Sequence, residues 1–405
     1  MEFHYITGGV TAPKGFQAAG ASCGIKAAGK PDIALILSQA PCTAAGVFTS
    51  NLVKAAPIFV TQDHLADGHL QGIVVNSGNA NALAPQGKEN ARRMAQAAAQ
   101  ATGLAPEDFG VASTGIIGVP LPIGRVESGI AAAASALSAQ GSDQAARAIL
   151  TSDTKIKTVA IEVLLRDIPV RIGAIAKGSG MIHPNMGTTL SFLTTDCAIP
   201  PEMLQALLRE AVDKTLNRIT VDGDTSTNDT CLMLANAQAG NLPLVRGSES
   251  YRTFSAALLA VCGNLARAIA ADGEGSSRLI SVTVSGARSE EEAVRLARSV
   301  AGSSLVKAAL FGADANWGRV LCAMGYAGVP FDPETVSVRF SSSLGEVLVC
   351  RKGEGVPFEN GLARAILDQK EVSICISLGQ DGMSATCWGC DLTHNYVSIN
   401  GHYRS

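Results

Sequence analysis

Aromatic residues are scarce in this 405-residue chain, at 4%, with two Trp and five Tyr. A core of stacked rings is therefore excluded, and the 47% of apolar residues must bury themselves as closely packed Ala, Val, Leu and Ile. Charge of one sign is equally lacking. Lys and Arg total 32 against 35 Asp and Glu, a formal charge of -3, which leaves no net attraction to nucleic acid or to an anionic membrane surface. Uninterrupted apolar runs stop well short of the roughly 20 residues that span a bilayer, and the opening MEFHYITGGV has no basic segment leading into an apolar one. The expectation is a cytoplasmic protein whose partners are small molecules. Repeats, charge blocks and low-complexity linkers are also missing, so composition marks no domain boundary, although the length suggests two or three units.

Glycine is plentiful at 42 residues, gathered in short polar runs that imply many tight turns. The ten cysteines are mostly flanked by aliphatic residues, as buried thiols in a reducing compartment would be. Cys387-Trp-Gly-Cys390 has C-x-x-C spacing, but no second Cys or His pair accompanies it at zinc-site spacing, and it reads as the end of an apolar strand. No metal is expected.

Periodicity predicts strands at Ile33 to Leu37, Gly72 to Val75, Thr158 to Leu164, Val170 to Ala176, Thr188 to Leu193, Leu279 to Ser285, Thr335 to Phe340, Glu346 to Cys350, Val372 to Ser377 and Met383 to Trp388. It predicts helices at Lys88 to Ala101, Gly124 to Leu137, Asp143 to Leu150, Pro201 to Leu216, Tyr251 to Ala271 and Ser289 to Val300. The Arg-Asp turn between Leu164 and Val170 suggests an antiparallel hairpin. Hairpins and long helices come in blocks, which argues for an α+β fold over a strictly alternating one.

The densest polar segment is KGSGMIHPNMGTT at 177 to 189. A phosphate cradle does not fit, because its lysine precedes the glycines, and His183 has no partner at metal-ligand spacing. The remaining chemical reading is a hydroxyl nucleophile at the head of a strand. A hydroxyl needs a base, and the α-amine of the same residue is one, with a reference pKa of about 8. An internal threonine has no such amine, so the chain must first be cut before it. Glycine at 187 leaves little bulk around the carbonyl that Thr188 would attack. Thr189 competes for the same role, but alternation along a strand turns the two side chains to opposite faces.

The segments GVTAPKGF (9 to 16), FTSN (48 to 51), NSGNANA (76 to 82), STGIIG (113 to 118), KGSGMIHPNMGTTL (177 to 190), DTSTNDT (224 to 230), DGEGSSR (272 to 278), ADANWGR (313 to 319) and NYVSINGHYRS (395 to 405) resemble, end to end and in order, the ornithine acetyltransferase family of arginine biosynthesis. That resemblance implies an α+β fold of layered αββα type with antiparallel sheets. It also implies self-cleavage at Gly187-Thr188 into an alpha chain (1 to 187) and an intertwined beta chain (188 to 405), assembled as a heterotetramer of two copies of each. Acetyl would pass from N-acetylornithine to Thr188 and then to glutamate by a ping-pong route, with no bound cofactor. Acetyl-CoA is a co-substrate only in bifunctional members, and the sequence leaves that open. Thr114 and Gly115 occupy the family's oxyanion positions. Thr151, Lys177, Thr188, Glu274, Asn400 and Ser405 match its substrate-binding positions, Lys177 complementing a carboxylate and Glu274 an ammonium. Without the resemblance, STGIIG reads as a turn.

The sequence departs from the family pattern at Gly187, where alanine is usual, at Ser276-Ser277-Arg278, where Ala-Thr-Lys is more frequent, and at Leu83, where cysteine is common. Two other readings use the same residues. One is a self-cleaving amidohydrolase or aminopeptidase that passes its acyl group to water. The other is an uncut binding protein for acetylated amino acids.

Overall fold

In the computed structural model, residues 3–183 and 189–402 are described, Ala28 by its backbone. Two mixed sheets organise them. The first takes β1 (His4–Ile6), β2 (Phe16–Ala21), β3 (Ile33–Phe48), β4 (His69–Asn79), β5 (Phe109–Ile116), β6 (Lys157–Leu165), β7 (Ile168–Lys177) and β8 (Leu190–Thr195). After β9 (Ile219–Thr220), which joins the second sheet, β10 (Thr230–Ala235) completes the first. Its order is β1-β6-β7-β8-β10-β3-β4-β5, with β2 paired to the early part of β3. The second sheet adds β11 (Leu279–Ala287), β12 (Ser337–Ser342), β13 (Gly345–Arg351), β14 (Glu354–Gly355), β15 (Glu371–Ser377) and β16 (Met383–Cys390), in the order β14-β13-β12-β15-β11-β16-β9.

Strand β3 explains how one sheet makes two layers. Residues 33–38 pair with β2, while residues 43–48 pair with β10, and the ladder to β4 slips between Leu37 and Cys42. A slip of this kind bends a strand. Side chains alternate along β3, so Ala34, Ile36 and Ala44 face an inner core shared with Ile73, Ile175, Phe192, Leu234 and the helix Ser142–Ala148. Ile33 and Leu35 face outward, toward Ala91, Met94, Ala95 and Ala98 of the helix Gly87–Thr102. Ala45 and Val47 face the helices Pro201–Lys214 and Glu249–Ala271. The result is the expected αββα sandwich, and the second sheet carries a separate core with the helix Glu290–Gly302.

Small side chains let these helices lie close to the sheet, which is how a chain poor in aromatics fills its interior. Gly103, in the left-handed region at φ 78°, ends the helix Gly87–Thr102 by donating to the Ala99 carbonyl at 2.8 Å. Ser248 begins the helix Glu249–Ala271, its Oγ accepting from Tyr251 N at 3.1 Å. That helix is long and apolar enough to cross a membrane by length and composition. Here it buries Phe254, Leu258, Val261, Leu265 and Ile269 against the sheet, each worth roughly 1.5–3 kcal/mol. A Leu258→Ala change would leave a cavity costing about 2–5 kcal/mol.

The expected hairpin is present, β6 and β7 pairing antiparallel from Lys157↔Ala176 to Leu165↔Ile168 around Arg166 at φ 57°. The sheets are not purely antiparallel, however. β4 and β5, β8 and β10, β11 and β15, and β16 and β9 run parallel. These pairs join distant segments, so no local turn announces them. Strand β4 runs on from Val75 through Asn79, into the polar run read as loop, and STGIIG falls at the end of β5 rather than forming only a turn.

Candidate active site

The site forms where β4, β5, β7 and β8 bring their ends together. Parallel pairing sets Ser77 beside Thr114 and Gly78 beside Gly115. Gly115 has φ +135°, and a Cβ there would stand 2.3 Å from the Gly78 carbonyl carbon and 2.4 Å from Asn79 N. Only glycine admits this approach. Behind it, the buried Asn228 donates through Nδ2 to the carbonyls of Ala80 at 2.7 Å and Ser113 at 2.8 Å, fixing both loops to the start of β10. Thr114 is buried, and its Oγ1 accepts from Lys177 Nζ at 3.5 Å.

Lys177 closes β7 opposite Leu190. Burial pushes its pKa down from the ordinary lysine value; the carboxylates of Asp153, Asp229 and Glu274 push it back, and Lys157 adds repulsion. Asp153 ties the Thr151 loop to this strand end, accepting from Gly178 N at 2.7 Å, Thr151 N at 3.1 Å and Lys157 Nζ at 2.7 Å. Burial alone would raise its pKa, but Lys177, Lys157 and these hydrogen bonds outweigh it and hold the carboxyl at about 2. Lys157 also reaches Asp272 Oδ2 at 2.6 Å.

On the other side, Glu274 N donates to Ser179 O at 2.9 Å. Gly180 leaves room for the Glu274 carboxylate, since a Cβ there would lie 2.3 Å from its Cδ. Asn400, on the helix His394–His402, donates through Nδ2 to Glu274 Oε2 at 2.8 Å. Tyr396 of the same helix donates to Asp222 at 3.4 Å, and Asp222 accepts from Met181 N at 2.6 Å and Ile182 N at 2.8 Å. Met181 is held at φ 57°, unusual for its type. His183 contacts Thr220 Oγ1 at 3.0 Å and its carbonyl accepts from Thr225, so it acts as a structural hydrogen bonder. Burial, then Arg298, lowers its pKa.

Thr114, Gly115, Thr151, Lys177, Glu274 and Asn400 are thus brought to one place from five segments. Gly187, Thr188 and Ser405 lie outside the described residues. Thr189, the competitor, is buried with its Oγ1 2.8 Å from Ser191 Oγ, and its carbonyl accepts from Thr230 N at 2.9 Å. It lines a small cavity together with Thr114, Lys177, Ser226, Asn228 and Asp229. A larger surface groove, between the turn Leu65–Gly68 and the helix Pro201–Lys214, holds none of these residues and no comparable set of buried charges. We assign the site to the small cavity on its chemistry.

Sequence reading missed Asp153, Lys157, Asp222, Asp229 and Asp272. Their signal was available in part, since Lys157 opens a mostly apolar strand and Asp272 follows a mostly apolar helix. Among the described residues no group of three or more His, Cys, Asp or Glu is placed to hold a metal ion. Cys387 and Cys390 are free thiols buried in two different cores, in keeping with the strand reading. What the cluster offers is a hydroxyl and a glycine backbone at one end, a buried ammonium in the middle, and an amide-braced carboxylate at the other. That set suits a zwitterionic or amidated amino acid and a developing oxyanion.

The chain's sequence matches the ArgJ family over residues 17–405. It is 54% identical over 404 residues to the arginine biosynthesis bifunctional protein ArgJ of Symbiobacterium thermophilum, covering 99% of this chain and 100% of the relative. It is 47% identical to ArgJ 1 of Clostridium acetobutylicum, over 96% of each chain. Among solved structures, the arginine biosynthesis bifunctional protein of Bacillus halodurans matches with a TM-score of 0.50 and 41% identity, covering 52% of this chain and 98% of that one. Ornithine acetyltransferase of Mycobacterium tuberculosis, solved with ornithine, matches with a TM-score of 0.44 and 40% identity over 46% of this chain and all of that one.

Proposed function

Since the chain belongs to the ArgJ family, and is therefore an acyltransferase of arginine biosynthesis, we propose that this site moves an acetyl group from N-acetylornithine to glutamate through Thr188. The observation that carries the reading is the meeting of Thr114, which Gly115 follows in the chain, and Lys177 at the cavity where Thr189 and Leu190 lead into β8, directly after Thr188 in sequence. The Thr188 hydroxyl attacks the acetyl carbonyl carbon while its own α-amine takes the hydroxyl proton. Thr114 and the Gly115 backbone receive the negative charge on oxygen. The C–N bond breaks, ornithine leaves with the proton, and the α-amine of glutamate attacks the acetyl-threonine to release N-acetylglutamate and regenerate Thr188. Lys177 complements the substrate carboxylate, Glu274 the ornithine ammonium.

The mechanism requires a cut before Thr188, giving chains 1–187 and 188–405 that stay packed as a heterotetramer. The Bacillus halodurans chain supports this reading, because half of the present chain accounts for nearly all of it. We place the enzyme in the cytoplasm, with acetyl-CoA as a second acetyl donor in keeping with relatives named bifunctional. Denaturing intact-mass spectrometry of the purified protein tests the core claim. Two species ending at Gly187 and starting at Thr188 are expected, and Thr188→Ala should stay a single 41.6 kDa chain without transfer activity. A single species from the wild type that binds acetylated amino acids without turnover would sink the mechanism; accumulation of acetate in place of N-acetylglutamate would make the enzyme a hydrolase.

A further inference from the structure

Asp229 has no part in the mechanism above, yet it is fully desolvated inside the site. Asp229 is 2% exposed, and among the described residues its Oδ2 has no hydrogen-bond partner. A buried polar group left unsatisfied costs stability, so a native structure that keeps one needs a reason for it. The other buried atoms in this condition, Asn81 Oδ1 and Arg298 Nε, do not line the cavity; Asp229 does. It precedes β10, whose Thr230 pairs in parallel with Leu190, so Asp229 stands level with Thr189.

Lys177 presents the complementary shortage. Its ammonium has three protons to donate, and among the described residues one long bond, to Thr114 at 3.5 Å, uses them. The charges around it come from four segments. Asp153 is taken up by Lys157, Thr151 N and Gly178 N, and Glu274 by Asn400. Lys157 and Lys26 are cations; the latter donates to the carbonyls of Pro31 and Ala148. Among the described residues, Asp229 is the buried carboxylate here left with an oxygen unengaged. We propose that Asp229 is a positioning residue for acetyl transfer, which holds Lys177 as an ammonium before substrate binds and yields it to the carboxylate of the incoming amino acid. The proposal rests on the reading that Lys177 takes that carboxylate.

Two effects of opposite sign follow. Asp229 competes with substrate for Lys177, and Asp229 also keeps Lys177 charged in a cavity where burial drives the proton off. Burial is the larger influence on Asp229 itself and raises its carboxyl well above the ordinary carboxylate range, while Ser226 and Lys177 favour its ionised form. Two carboxylates cannot both stay ionised around one buried ammonium at little cost, so Asp229 takes a proton as the substrate carboxylate arrives.

The test is the kcat/KM for N-acetylornithine of Asp229→Asn relative to wild type, followed from pH 6.5 to 9 on preparations whose chains have the same masses. Titrations common to both enzymes cancel in this ratio. The expected ratio falls about tenfold or more as pH rises, because Lys177 without its counter-ion loses its proton about a pH unit earlier or more. At the acid end the variant's KM should lie at or below that of wild type. Asp229→Glu keeps the charge and should give a level ratio, and Asp229→Ser replaces Asp229→Asn if that variant does not fold. A level ratio for the uncharged variants, whatever its value, or an equal fall for Asp229→Glu, overturns the role. A wild type without acetyl transfer would instead overturn the function on which it rests.

Discussion

Lys157 Nζ lies 2.6 Å from Asp272 Oδ2, a contact between two buried side chains 115 positions apart in sequence. If the chain is cut before Thr188, this ion pair belongs to both products and joins them inside the site. Asp272 also accepts from Thr154 N at 3.0 Å, so the alpha-chain loop is fastened to the beta-chain helix end by several bonds at once. Removing one partner of a buried ion pair strands the other. Lys157→Met should therefore destabilise the protein by about 3–5 kcal/mol, read as a fall in the midpoint of denaturant unfolding. A change below about 1 kcal/mol would show that the pair contributes little to holding the chains.

Asp153 makes stability depend on acid. Its carboxyl is held at about 2 in the folded protein, below its ordinary value near 3.8. A depressed carboxyl contributes stability that is fully present above the unfolded pKa and disappears as pH falls through the folded one. The shift corresponds to about 2 kcal/mol lost between roughly pH 5 and pH 2. Asp153→Asn should be less stable at pH 7 and should lose less on acidification, in unfolding curves collected at several pH values. Parallel curves for the two proteins would contradict this.

Gly115 combines a positive φ with contact to the Gly78 backbone. Gly115→Ala forces either loop aside, and it displaces the Thr114 side chain and the Gly115 backbone together. Loss of one oxyanion donor typically costs about 10²- to 10³-fold in rate. We expect kcat to fall by about that factor while the two chains still form, measured by steady-state kinetics and intact mass.

Glu274 and Asn400 form the far end of the site. Asn400→Ala removes the 2.8 Å bond that orients the carboxylate, and Glu274→Gln removes its charge. Hydrogen bonds to charged groups contribute about 1.5–3 kcal/mol, so Glu274→Gln should raise the KM for N-acetylornithine about tenfold or more. Asn400→Ala should raise it less, and kcat should change little in either. An unchanged KM in Glu274→Gln would remove Glu274 from substrate recognition.

The sequence by itself determined the local elements and, through resemblance, nominated most of the residues that the fold gathers at the candidate site. Helices such as Gly87–Thr102 and the β6/β7 hairpin declare themselves through periodicity and a turn, because neighbours in the chain are neighbours in those structures. The ordered motifs pointed to Thr114, Gly115, Lys177, Glu274 and Asn400 through resemblance, and no physical pattern in the residues would have joined them. Tertiary structure alone decided the rest. Parallel pairs such as β4 with β5 and β8 with β10 bring together segments with no turn between them, so their register depends on the whole packed sheet. The bend of β3 into two layers was invisible for the same reason. The buried charges Asp153, Lys157, Asp229 and Asp272 look like ordinary solvated residues in a sequence, since desolvation is a property of what surrounds a group in space. Only the folded chain removes the water and leaves Asp229 and Lys177 facing the same cavity.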